Sequence, residues 1–238
     1  MTSKAKTSTT AQRILRWFTT TTTSACALSR VAVYPIKGTR HSFNLVISRG
    51  SVVDFSYPPN PRSCAIVNAA NEGCLGGGGV DGAISDAGGP NLLEDRKALP
   101  IVQDGDCVVR CRTGSAVITG PNSYSKLQVP YVIHAVGPNY MRYRETSEIS
   151  EGDELLSSAY SSSLECGKNT NLEAIAFSLL SSGVFRGSKS VKEVLRTGVN
   201  AVCQFDGYNG LKEVHMCAFS QKEEDTLKEI AKEIGLKC

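Results

Sequence analysis

The sequence predicts an α/β fold, a three-layer α/β/α sandwich on a mixed, mostly parallel sheet, and two observations carry that expectation. From residue 43 onward, short apolar runs alternate with longer amphipathic ones, the pattern that βαβ units produce. Several of the short runs are apolar on consecutive residues, Ala174-Ile-Ala-Phe above all, as strands are when helices cover both faces of a sheet. With 238 residues, 41% of them hydrophobic, the chain is long enough for one domain with a sizeable core.

Taken in order, the expected strands are 43–48, 64–70, 117–120, 131–136, 174–180 and 213–219. A helix is expected over 80–87, broken at Gly88-Gly89-Pro90 and resumed over 91–99. A second helical region covers 151–166. Val191, Val194, Leu195, Val199 and Val202 form a stripe at the 3.6-residue period for a third helix, and Leu227, Ile230, Ala231 and Ile234 do so for the last.

Residues 1–42 read as a basic, Ser/Thr-rich tail set apart from a body of 43–238. Eight basic residues, Lys4, Lys6, Arg13, Arg16, Arg30, Lys37, Arg40 and Arg49, precede Asp54, the first acidic one. Arg13-Ile-Leu-Arg16-Trp-Phe suits one short amphipathic helix, and two readings stay open: a mitochondrial transit peptide or a plain solvated tail. The body is acidic on balance, so nucleic acid is not expected as a partner. No apolar run approaches the ~18 residues of a spanning helix, so no membrane is expected either.

The nine cysteines are odd in number and contain no C-x-x-C. Cys64, Cys107, Cys203 and Cys217 fall inside apolar stretches, as free buried thiols do, which points to an intracellular reducing compartment, mitochondrial or cytosolic. Three histidines, none at ligand spacing, argue against a structural metal site, and His134, inside an apolar strand, reads as a core residue.

In such folds ligands sit at the carboxyl ends of strands, so the loops that follow strands matter most. Two are unusual: Asn71-Glu-Gly-Cys-Leu-Gly-Gly-Gly-Gly79 and Ser181-Ser-Gly-Val-Phe-Arg-Gly187. Four consecutive glycines are costly to order and offer no packing. Bare backbone leading into a helix start does supply N–H donors for a phosphate or pyrophosphate; the plainer reading is a tight turn. Val80-Asp81 stands where a P-loop would place Lys and Ser/Thr, which excludes that chemistry. Gly77-x-Gly79-x-x-Gly82 matches the dinucleotide fingerprint literally, with Glu94 or Asp95 as its ribose acid, but Asn71 to Gly76 intervene between strand and glycines. Asp81 at a helix start has its charged form favoured, which suits activation of water; as a plain first-turn acid it would only stabilise the helix.

Ala65-Ile-Val-Asn-Ala-Ala-Asn71, Leu75-Gly-Gly-Gly-Gly-Val-Asp-Gly-Ala-Ile84 and Tyr131-Val-Ile-His-Ala-Val-Gly-Pro138 together resemble a macrodomain, from about residue 43 to the C-terminus. Within that family the arrangement is similar to the MacroD type, enzymes that remove ADP-ribose from modified proteins. The resemblance implies an ADP-ribose cleft in which Asn71 bonds the distal ribose hydroxyls and Asp81 positions or activates water. Gly77, Gly78, Gly79 and Val80 wrap the distal ribose and diphosphate. Ser181, Ser182, Gly183 and Val184 complete the phosphate clamp, Phe185 packs on the distal ribose, and Phe219 stacks on adenine; by residue chemistry alone Phe219 reads equally well as a core residue. Ala69, Ser51 and Val52 complete the binding set. Where the family has Gly-Asp-Ile after the early strand, with the acid reading adenine, this chain has Gly50-Ser51-Val52, which removes an anion from that contact.

The activity so implied is hydrolysis of mono-ADP-ribose from acidic side chains, with O-acetyl-ADP-ribose deacetylation beside it. The expected partners are mono-ADP-ribosylated proteins, ADP-ribose and O-acetyl-ADP-ribose, with no cofactor and no metal. A non-catalytic ADP-ribose reader is the alternative. Poly-ADP-ribose glycohydrolase chemistry is disfavoured because no paired glutamates adjoin the glycines, and an oxidoreductase lacks a proton-transfer pair there.

Overall fold

The computed structural model describes residues 28–105, 107–143 and 145–238. Strands β1 (Ser29–Lys37), β2 (Ser42–Arg49), β3 (Cys64–Ala69), β4 (Ala116–Thr119), β5 (Tyr131–Ala135), β6 (Ala174–Phe177) and β7 (Glu213–Ala218) form one sheet in the order β1-β2-β7-β6-β3-β5-β4. The five inner strands run parallel and the two edges antiparallel. Helices α1 (Gly79–Ala98), α2 (Thr146–Asn169), α3 (Val191–Gln204) and α4 (Gln221–Glu233) cover it.

Both faces are apolar because successive strand residues point to opposite sides. Ala65 and Val67 join one core with Leu156 and Tyr160 of α2, Leu195 of α3 and Leu227 of α4. Cys64 and Ile66 join the other, with Ile84 and Leu92 of α1 and with Phe55, Tyr57 and Tyr124 from loops. This is the three-layer sandwich expected.

The sheet starts earlier than the expected boundary at residue 43. β1 pairs with β2 along most of its length and buries Tyr34 and Ile36. Composition hid this strand, because Arg30 and Lys37 read as part of the basic tail. Pro35 is tolerated because an edge strand leaves alternate N–H groups without a ladder partner. The basic residues before Leu28, the 13–18 helix and the transit-peptide reading lie outside the described residues.

Helix α1 is kinked where Gly88-Gly89-Pro90 predicts: Gly89 takes φ 64°, ψ −159°, and its two halves meet at an angle. Helices α2, α3 and α4 each begin with a capping box, from Glu145/Glu148, Ser190/Glu193 and Ser220/Glu223. Cys64 and Cys217 are buried as expected, but Cys107 is exposed and Cys203 half-buried. Around Cys107 the chain makes a surface excursion held by the Gln103–Val109 bridge, which buries Val109 and leaves Cys107 and Val108 facing outward. Among the described residues no helix is long and apolar enough to cross a membrane.

Candidate functional site

The sheet order places the loops. β2, β7, β6 and β3 are neighbours in that sequence and all parallel, so their carboxyl ends emerge side by side. The segments that follow them hold Ser51 and Val52, then Phe219, then Ser181 to Phe185, then Asn71 to Val80. Three inter-strand steps span about 14 Å, the length of an extended molecule rather than a compact one.

At the β3 end, the glycine loop runs into α1 with Gly78 as N-cap and no side-chain hydrogen bond on the cap, unlike the capping boxes of the other helices. The first N–H groups of α1 are therefore left without a side-chain acceptor. Gly78 lies at φ −93°, ψ 179°, extended backbone that any residue adopts, and a Cβ added to it meets nothing within 4 Å. Neither conformation nor packing calls for glycine there. Gly183, at the head of the facing loop, is likewise open to a Cβ. Asn71 braces the glycine loop from within: Nδ2 donates to the Gly76 carbonyl at 2.8 Å and Oδ1 accepts from the Gly73 N–H at 3.1 Å. One amide hydrogen of Asn71 is left over.

Asp81 is only 3% exposed and sits in the interior network below the loop. Its Oδ1 accepts from Arg96 Nη2 at 2.5 Å and from Asn68 Nδ2 at 2.8 Å, whereas its buried Oδ2 has no partner. That free oxygen lies 3.0 Å from where a Gly77 Cβ would stand, and Asn71 Nδ2 lies 3.2 Å from the same point. The carboxylate and the amide thus bracket Gly77. Beyond Asn68, the Nδ1 of His134 is 3.2 Å from Asn68 Nδ2, and its Nε2 is 3.1 Å from Thr119 Oγ1. The Thr119 hydroxyl donates to the Val132 carbonyl, so it accepts from Nε2–H and leaves Nδ1 to receive the Asn68 amide. Burial, and after it the Arg96 cation, hold this imidazole well below its ordinary value, hence neutral. His134 is the satisfied core residue expected of it.

Sequence reasoning missed Asn68 and Arg96. Asn68 is the lone polar residue in the apolar run of β3, which is a readable signal. Arg96 follows Leu92 by four and so shares its buried face, but an arginine near a helix end reads first as a solvated C-terminal cation. Of the two candidate ribose acids, Asp95 accepts from Tyr124 Oη at 2.6 Å and Glu94 pairs with Lys97, so both serve the surface of α1.

In the loop after β6, Ser181 takes φ 55° and donates to the Pro138 carbonyl at 2.8 Å, tying this loop to the end of β5. Ser182 donates to the Leu179 carbonyl at 2.8 Å. Both hydroxyls face the protein's own backbone, which leaves the backbone of Gly183 and Val184 as the surface this loop turns outward; Val184 is 79% exposed. Phe185 follows in the helical turn Val184–Arg186, half-buried. Ser51 caps the short turn Val52–Asp54, accepting from Val53 N–H at 3.3 Å, with Val52 buried beneath. Ala69 is the half-buried last residue of β3. Phe219 is 75% exposed, so it is not the core residue that its strand-end position equally allowed.

A family profile described as Macro domain matches residues 67–196, and a macro domain-containing protein of Caldanaerobacter subterraneus subsp. tengcongensis is 40% identical over 159 residues, 67% of this chain and 82% of that protein. The chain belongs to the macro domain family. This macro domain is also 35% identical over 161 residues to O-acetyl-ADP-ribose deacetylase 1 of Pantoea vagans, covering 68% of this chain and 86% of that one. Among solved structures, the macrodomain of Oceanobacillus iheyensis with ADP superposes with a TM-score of 0.65 at 27% identity, over 86% of this chain and 98% of that one. The Trypanosoma brucei macrodomain in complex with ADP-ribose gives a TM-score of 0.61 at 29% identity, over 78% and 68%. The matched residues of this macro domain run from within β3 into α3 and so include both unusual loops.

Proposed function

We propose that this macro domain binds ADP-ribose across the carboxyl ends of β2, β7, β6 and β3 and hydrolyses its ester to acidic side chains of mono-ADP-ribosylated proteins, with O-acetyl-ADP-ribose deacetylation as a related activity. The observation that carries the reading is Gly78: an uncapped helix start with a glycine that neither its dihedral angles nor its neighbours require. A diphosphate requires it, since it approaches bare N–H groups and the positive end of a helix. Gly183 plays the same part from the opposite loop. Phe219, exposed at the end of β7, offers a ring for adenine, and Ser51 a neutral acceptor beside it. The distal ribose then falls between Phe185 and the pair Asn71 and Asp81, where the spare amide hydrogen and Oδ2 meet its hydroxyls or the attacking water. The work of Asp81 in this scheme is to accept a proton or a hydrogen bond from water as that water attacks the anomeric carbon of the distal ribose, the bond from that carbon to the ester oxygen breaks, and the acidic side chain leaves as its carboxylate. No cofactor enters it.

The solved neighbours that hold ADP and ADP-ribose, and the deacetylase names among the relatives, support the ligand and the reaction class. One observation favours the reader alternative: the carboxylate of Asp81 is already paired with a buried guanidinium. Incubation with a protein mono-ADP-ribosylated on glutamate separates the two. Release of free ADP-ribose supports the hydrolase; tight binding of ADP-ribose without release makes the domain a reader.

A further inference from the structure

The kink in α1 returns a charged side chain to the interior. Arg96 is 1% exposed, and its guanidinium divides between two acceptors in the first half of the same helix: Nη1 donates to Ser85 Oγ at 2.7 Å, and Nη2 to Asp81 Oδ1 at 2.5 Å. Ser85 Oγ in turn donates to the Asp81 carbonyl at 2.7 Å. Arg96 therefore grips residue 81 twice, directly through its carboxylate and indirectly through its main chain. Stability does not account for the pair, because a buried ion pair is commonly matched or bettered by apolar residues of similar volume. What it does achieve is orientation. With Oδ1 held by Arg96 and Asn68, the carboxylate is fixed about its last bond, and Oδ2 is left toward Gly77 with no partner.

We propose that Arg96 is a positioning residue for Asp81, holding one carboxylate oxygen so that the other is presented to the distal end of the cleft. The inference rests on the hydrolase reading for its kinetic consequence but not for its structural one. The test uses Arg96→Met and Arg96→Lys in the full chain, each alone and with Asp81→Ala, read by turnover, by ADP-ribose affinity and by crystal structure. Arg96→Met is expected to lower kcat by about tenfold to a hundredfold, as small misplacements of a reacting group do, with KM and ADP-ribose affinity within about threefold. Arg96→Lys should recover part of that loss, since an ammonium keeps the charge but cannot reach Ser85 and Asp81 together. In the Asp81→Ala background neither variant should cost anything further. Equal losses in both backgrounds, or unchanged kcat in Arg96→Met, overturn the proposal. Should Arg96→Met fail to fold, the crystal structure of Arg96→Lys decides: a displaced Asp81 carboxylate supports the proposal and an unmoved one overturns it. The same structural comparison decides it if the unsubstituted protein turns over no substrate, an outcome that defeats the hydrolase reading alone.

Discussion

Replacing Gly78 with glutamate separates a ligand's requirement for glycine from the fold's. The fold should barely register the change, because Gly78 occupies extended backbone with open space where the Cβ would go. Losing a glycine lowers the entropy of the unfolded chain, a gain of about 0.4 to 1 kcal/mol, and an acid near a helix start gains about 0.3 to 1 kcal/mol more. A glycine N-cap is in turn better than glutamate by an amount of the same order. The net effect on stability is thus within about 1 kcal/mol, or roughly 2 to 4 °C in Tm for a chain of this size. Binding should respond very differently. A carboxylate about 4 Å from a phosphate charge, at an effective dielectric constant near 20, is repelled by about 4 kcal/mol. Even after screening halves that figure, affinity falls by about thirtyfold, and the volume of the side chain adds to it, so a loss of about a hundredfold or more is expected. Calorimetric titration with ADP-ribose beside a thermal melt measures both quantities, and Gly78→Gln, which adds bulk without charge, should fall between. A folded Gly78→Glu protein with affinity within threefold of the original would refute the reasoning and leave the glycines as a turn.

Asp81→Asn should reduce turnover by on the order of 10² while ADP-ribose affinity stays within a few-fold, since the phosphate donors are main-chain groups; parallel loss of both would make Asp81 structural. Asp81→Ala should in addition lower stability by about 3 to 5 kcal/mol, because it strands the buried Arg96 cation, and urea unfolding measures that difference. Phe219→Ala is expected to leave the melt unchanged and to weaken adenine binding by about 1 to 3 kcal/mol, read as a loss of affinity for ADP and AMP alike. Stability should fall as pH drops below about 6.5: burial holds both His134 and His215 below that value, so unfolding takes up protons that the native state refuses, and each contributes a slope approaching about 1.4 kcal/mol per pH unit until its native pKa is reached. A urea midpoint that does not move between pH 7.5 and 5.5 would contradict this. Removing residues 1–42 strips away β1 and exposes Leu45 and Ile47, so that protein should unfold at lower urea than one starting at residue 28, whose ADP-ribose affinity should equal that of the full chain.

Period and punctuation in the chain predicted the inner strands and the helices, because burial on two faces and the Gly88-Gly89-Pro90 break leave local marks. β1 escaped because an edge strand tolerates the basic residues that elsewhere signal a tail. At the site, the glycines and the exposed phenylalanine were legible as single residues, whereas the grip of Arg96 on Asp81 was not. That contact depends on a bend in the backbone angles of Gly89, and no pattern within α1 states which way its second half turns. The seryl pair of the second loop shows the converse: Ser181 and Ser182 look like phosphate ligands in the sequence, yet both hydroxyls are spent on neighbouring carbonyls. The position of a residue type in a motif does not say which of its atoms face the solvent.

Because β1 runs antiparallel to β2, it enters the sheet at the end from which β2 leaves. Leu28, just before it, stands against Gly50: a Cβ on that glycine would lie 3.4 Å from Leu28 Cδ1. The start of β1 is thereby moored beside Ser51, at the mouth of the proposed adenine pocket. Lys4, Lys6, Arg13 and Arg16 precede this point in the sequence and no acid does. By this mooring, a reporter group attached at Leu28 would stand at the adenine end of the proposed cleft, with β7 and β6 between it and the glycine loop that follows β3.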